Sequence, residues 1–206
     1  MYLGYKISQK EIDSYLSTKL KKQKYKIFKN FKSKKIAKDL FDGKVIGRCS
    51  GKMEFGLRAL GNRSIICDPR YFANINKINF KIKKRDFWMP FTPSFLEENI
   101  NDYIINKKNI KSPYMTIAFK CRKEKIKMLR AVVHQGDKST RPQTVSKSQN
   151  YHYWSLINEF FKITGIPCLL NTSLNLHGDP MNANVKQALN TFIKSELKYI
   201  LLDQNI

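Results

Sequence analysis

Residues 150–173, "NYHYWSLINEFFKITGIPCLLNTS", constrain the fold of this chain more than any other stretch. Trp154, Ile157, Phe160 and Phe161 recur at helical spacing, which predicts an amphipathic helix with those side chains inward. Gly165 stands just past its end, where a helix stops most easily on a residue that tolerates left-handed backbone. "IPCLLNTS" then reads as a buried strand running into a polar turn. A helix that feeds a buried strand across one glycine demands a sheet with helices packed on it.

The remaining segments extend this pattern. "KKIAKDLFDGK" places Ile36-Ala37 and Leu40-Phe41 at helical spacing, with Gly43 to end the helix. "KVIGRCS" reads as a short strand, Ile65–Cys67 as another closed by Asp68-Pro69, and "YILLD" as the last. "YMTIAFKC" and "LRAVVHQ" read as strands around a charged turn, and "NVKQALNTFIKS" as a final helix. "KKRDFWMPFTPSFLEE" reads as irregular, because its two prolines exclude regular helix. Strands and helices intermixed in this way predict an α/β (mixed α+β) domain, with a twisted mixed sheet flanked by helices. Residues 1–35 are lysine-dense: a short helix with Ile12, Leu16 and Leu20 on one face, then an exposed connector. The expected division is a basic N-terminal extension or connector over 1–35 and the main domain over 36–206.

With 206 residues and 42% apolar content, the chain can bury one substantial core. Its net charge of +23 suggests polyanions, yet only eight of the 39 basic residues are arginine. The lysines are spread along the chain among many Asn and Ile residues, as solvated charges are. Contact with nucleic acid is therefore expected to be non-specific only. Cys49, Cys67, Cys121 and Cys168 form no CxxC pair and mostly sit in apolar runs, so they read as buried reduced thiols. No apolar stretch follows Met1 and no run reaches membrane-spanning length, which predicts a cytoplasmic protein with no membrane partner.

"GKMEFGLRALGNRSIICDPR", residues 51–70, gathers Arg58, Arg63 and Arg70 with Glu54 and three glycines in front of an apolar strand. Buried strands are seldom introduced by so many cations, since an unpaired charge near a core is costly. Either Arg58 and Arg63 pair with Glu54 and Asp68 as structural ion pairs, or an anion sits among the arginines. Further polar groups fall at the ends of apolar runs: Ser64, Lys83, Arg85, His134, Arg141, Asn171, Ser173 and Asn175. Guanidinium forks, an ammonium, hydroxyls and carboxamides suit phosphate and planar carbonyl groups. The sequence has no GxxxxGK[ST] phosphate loop, no GxGxxG, no GxSxG elbow and no metal-spaced histidines among His134, His152 and His177.

Four blocks, "GKMEFGLRALGNRSIICDPR", "RDFWMPFTPSFLEE", "HQGDKSTRPQTV" and "TGIPCLLNTSLNLHGDP", resemble the consecutive signature blocks of the C-terminal domain of the NodU/CmcH/TobZ carbamoyltransferases. The resemblance covers roughly residues 36–195, and "YLGYKIS" is similar to the segment that precedes that domain. It implies a YrdC-like α/β domain that binds ATP, with Mg²⁺ as part of that substrate, and carbamoyl phosphate, and that forms carbamoyl-adenylate. The carbamoyl group would then pass to a hydroxyl acceptor inside a larger N-terminal domain or separate subunit, whose own histidines bind a metal; no protein-bound metal is expected in this chain. By the same resemblance Arg58, Lys83 and Arg141 would be catalytic. Glu54, Arg63, Ser64, Arg85, His134, Asn171, Ser173 and Asn175 would hold nucleotide or carbamoyl phosphate. Two positions depart from the family pattern: Met89, where many members carry arginine, and Lys198, where aspartate is frequent. The rival readings are a catalytically inactive remnant, a nucleotide- or RNA-binding module, and a structural partner of a complete enzyme.

Overall fold

The structure, a computed structural model, describes residues 1–19, 26, 32–84, 86 and 91–203. Along the chain run α1 (Gln9–Lys19), α2 (Ser33–Phe41), β1 (Ile46–Ser50), β2 (Arg63–Cys67) and α3 (Ala73–Asn76). A π-helical segment, Lys77–Lys83, continues α3 and leads towards β3 (Thr92–Leu96). Then come β4 (Phe119–Lys120), β5 (Ser139–Thr140), β6 (Gln143–Val145), α4 (Tyr151–Thr164), β7 (Cys168–Ser173), α5 (Val185–Lys194) and β8 (Tyr199–Asp203).

Six strands form one mixed sheet in the order β6-β3-β7-β2-β1-β8, and β4 pairs with β5 apart from it. α4 lies over β3 and β7 with α2 packed on it, while α5 lies over β1 and β8 with α1 against it. The sequence accounts for α4 at both ends. Asn150 accepts a hydrogen bond from the Tyr153 amide at 3.1 Å, and Gly165 closes the helix at φ +71°. Its buried face is Tyr153, Leu156, Ile157 and Phe160, with Trp154 and Phe161 only partly covered. The inward face is thus turned by about one residue from the expected one. α5 opens on a capping box between Asn184 and Gln187.

Register decides what meets at the ends of the sheet. β2 runs antiparallel to β1 and β7, with Ser64 opposite Ser173. β3 runs antiparallel to β7, with Thr92 opposite Asn171, and β6 parallel to β3, starting at Gln143 beside Ser94. One end of the sheet therefore collects the close of β1 and β7 and the start of β2, β3 and β6.

Three expectations are corrected. The prolines of "MPFTPSFLEE" do not exclude a strand: Pro93 lies within β3, one residue ahead of the point where pairing with β6 begins. "LRAVVHQ" is a turn and not a strand, although Ala131, Val132 and Val133 are buried. Apolar content reported burial there and not backbone geometry. "YMTIAFKC" contributes only the two residues of β4. In α1, Ile12 is buried and Leu16 half-buried as expected, and Leu20 lies outside the described residues.

The first residues are not free of the body. The Gly4 amide donates to Met53 O at 3.0 Å, the Met53 amide to Tyr5 O at 2.9 Å and the Phe55 amide to Met1 O at 2.9 Å. Glu11, in α1, accepts the Val185 amide at the start of α5 (3.0 Å). Residues 1–7 thus form a strap along 51–55. Among the described residues no helix is long and apolar enough to cross a membrane.

A candidate anion site at one end of the sheet

The loop between β1 and β2 carries Arg58, and its stem is held by one carboxylate. Glu54 Oε1 accepts the amides of Leu60 and Asn62, each at 2.7 Å, and of Arg63 at 3.0 Å. One side-chain oxygen thus satisfies three amides, and it does so fully buried. Asn62 adds a second anchor: its side-chain oxygen accepts from Arg48 at 2.9 Å and from Asn150 at 3.0 Å. Gly61 lies against the ring of Tyr153 at φ +111°, where an added Cβ would stand 2.3 Å from a ring carbon. Only glycine lets the loop approach α4 so closely.

Arg63 is fully buried. Its guanidinium donates to the main-chain carbonyls of Tyr5, Ser50, Gly51, Asn62 and Ala183. Ser64 accepts the Gly61 amide at 3.0 Å, and Asn171 donates to Ala59 O at 3.1 Å and to Ser94 at 3.0 Å. Glu54, Arg63, Ser64 and Asn171 were expected to touch the ligand. All four side chains are buried beneath the loop and bonded to it or to its neighbours, and Glu54 Oε2 and Asn171 Oδ1 have no partner among the described residues. The ion-pair reading of the cluster is corrected too: Asp68 pairs with Arg70, at 2.6 Å, and Glu54 binds amides.

Above these supports the tip is open. Phe55 and Leu57 are exposed, and so is Arg58. Burial and the guanidinium of Arg141 together hold the pKa of Arg58 below its usual value. The two like charges lie near one another, with no ion pair to either among the described residues. Arg141 borders a cleft of about 290 Å³ whose walls include Phe91, Thr92, Val132 and His134. His134 Nδ1 lies 2.8 Å from Asp137 Oδ1. Asp137 also takes bonds from the Ser139 hydroxyl and amide, which keep its carboxyl well below the usual range.

A third group lies where β7 ends. Lys83, buried at the end of the π-helical segment, donates to the Ser173 hydroxyl at 3.0 Å and to Asn175 Oδ1 at 2.7 Å. Ser173 in turn donates to Asn175 Oδ1 at 2.7 Å. A buried ammonium thus stands beside an oriented hydroxyl at the same sheet end as the arginines. Arg58 with Arg141, and Lys83 with Ser173 and Asn175, are brought together as two groups; Arg85 and Met89 lie outside the described residues. Sequence reasoning missed Gln143 and Asn62. A glutamine inside the apolar strand "QTV" was the available signal, since a buried carboxamide requires partners.

Comparison with known proteins gives the class to which this fold belongs. The sequence profile of the carbamoyltransferase C-terminus matches residues 37–206, and the chain belongs to that family. It is 42% identical over 207 residues to an uncharacterised protein of Methanocaldococcus jannaschii, covering 98% of this chain and 39% of that protein. It is 43% identical over 164 residues to the nodulation protein NolNO of Sinorhizobium fredii, covering 79% of this chain and 24% of the relative. The chain thus spans well under half the length of these relatives. The fold is YrdC-like: full-length HypF in its phosphate- and nucleotide-bound form superposes with a TM-score of 0.60 at 15% identity, over 94% of this chain and 28% of that one.

Proposed function

We propose that this domain binds MgATP and carbamoyl phosphate at the Arg58–Arg141 end of the sheet and joins them into carbamoyl-adenylate. The adenylate then serves a hydroxyl acceptor held by a domain or subunit of the kind that fills the rest of the longer relatives. The observation that carries this reading is the pair of mutually repelling guanidiniums on a rigid loop and strand end. In an enzyme of the family shown here, such a pair suits two phosphate-bearing substrates.

The chemistry follows from the bonds. To join the α-phosphorus of ATP, a carbamoyl oxygen must first be uncovered: water attacks carbamoyl phosphate and breaks its P–O bond, releasing inorganic phosphate and leaving carbamate with a free carboxylate oxygen. That oxygen attacks the α-phosphorus and pyrophosphate leaves. Negative charge builds on non-bridging oxygens in both steps, and fixed cations stabilise it without reorganising. Arg58 and Arg141 grip the phosphates, and Lys83 supplies a charge that Asn175 and Ser173 keep in place. The test follows pyrophosphate from purified protein given MgATP with and without carbamoyl phosphate. Release that depends on carbamoyl phosphate, and that falls about a hundredfold in Arg58→Ala or Arg141→Ala, is expected. Release at the no-enzyme rate from folded protein overturns the reading.

A further inference from the structure

The carbonyl of Leu60, two residues beyond Arg58, accepts two side-chain donors that are far apart in the sequence. One is the Tyr2 hydroxyl, at 2.8 Å, and the other is Gln143 Nε2, at 2.9 Å. The amide of the same residue donates to Glu54 at 2.7 Å, so the peptide groups of Leu60 are held on both sides. Gln143 stands two residues beyond Arg141 at the start of β6, and its own oxygen accepts the Ser94 hydroxyl at 2.7 Å. A single carbonyl thus ties the loop that carries Arg58 to the strand that follows Arg141. Tyr2 comes from the strap, whose backbone also bonds to Met53 and Phe55 on the rising arm of that loop.

We infer that Tyr2 and Gln143 are positioning residues that set Arg58 against Arg141 through the Leu60 carbonyl. Two like charges drift apart when nothing holds them, and each is exposed or half-exposed. Their separation must then come from the backbone beneath them, and the shared carbonyl is the point where both segments are fastened. Neither residue touches the anion in this scheme. Tyr2 makes the strap a part of the site, so whatever moves the strap alters the spacing of the guanidiniums.

The inference rests on the reading that the two arginines bind MgATP, and its test separates the two. Titration calorimetry with MgATP is run on the full chain, on Tyr2→Phe, on Arg58→Ala and on the double variant. Tyr2→Phe, which keeps the ring and loses one hydrogen bond, should weaken MgATP about fivefold. In the Arg58→Ala background it should add nothing, because a residue that acts through Arg58 has nothing left to position. Gln143→Leu should behave in the same way if it folds, and Tyr2→Phe decides the matter if it does not. Unchanged MgATP affinity in Tyr2→Phe, or an equal loss with and without Arg58, overturns the inference. Unchanged affinity in Arg58→Ala overturns the binding reading beneath it.

Discussion

Glu54 shows how one residue can make a loop behave as core. Three amide protons converge on Oε1, while Oε2 is buried with no hydrogen-bond partner among the described residues. The two oxygens therefore have different worth. Glu54→Gln can keep a carbonyl oxygen for the three amides and place its NH₂ where nothing was bonded, so a loss of about 1–2 kcal/mol in denaturant unfolding is expected. Glu54→Ala strands all three amides in the interior, and about 3–5 kcal/mol is expected. Hydrogen exchange gives the local readout. Amides of Leu60, Asn62 and Arg63 should exchange as slowly as those of β2 in the native protein and rapidly in the alanine variant.

At the scale of elements, three of the four thiols lie in adjacent strands: Cys49 in β1, Cys67 in β2 and Cys168 in β7. All four cysteines are buried and free. Burial pushes Cys49 and Cys121 from 9.0 up to about 11, and Cys67 and Cys168 higher still. The fold holds the neutral thiol, so this contribution is complete below pH 9. Above it the unfolded chain loses protons first, and stability falls as pH rises through about 11. Melting temperatures taken from pH 8 to 11 should decline with a slope that becomes shallower in Cys49→Ala. An unchanged slope in that variant would count against the assignment.

The same strands show what was legible in the sequence. β1, β2, β7, β8 and the helices α2, α4 and α5 follow from apolar period, caps and glycine stops, which are local signals. β3 was hidden because Pro93 obeys a sheet-level condition: it needs only that no neighbour pair with its missing N–H. The turn at Ala131–Val133 was misread because its burial is imposed by distant elements. The arginine cluster announced the site. Its division into arms and supports did not, since Arg58 and Arg63 differ only in what surrounds them. Arg63 reaches Ala183, 120 residues away, and no local pattern encodes that bond.

For the molecule as a whole, charge and site belong to different regimes. Most of the net +23 comes from lysines, and their attraction to polyanions is diffuse. Binding to duplex DNA or RNA should be sequence-blind and should collapse between about 50 and 200 mM salt. The proposed MgATP binding rests on a few fixed contacts, and it should fall far less over that range. Tight nucleic-acid binding that survives high salt would favour a different role for the surface.

The bonds around Arg63 have one more consequence, for the order in which the molecule is made. Its guanidinium waits on Tyr5, already synthesised, and on Ala183, which comes near the end. Glu11 likewise waits on Val185, and β1 gains its second neighbour only when β8 is complete. A ribosome therefore releases most of the sheet before the loop that carries Arg58 can be locked. Nascent chains stalled ahead of residue 183 would own every arginine of the site and still lack its geometry. On the proposed reading, the grip on phosphate is gained only after Ala183 and Val185 have joined the fold.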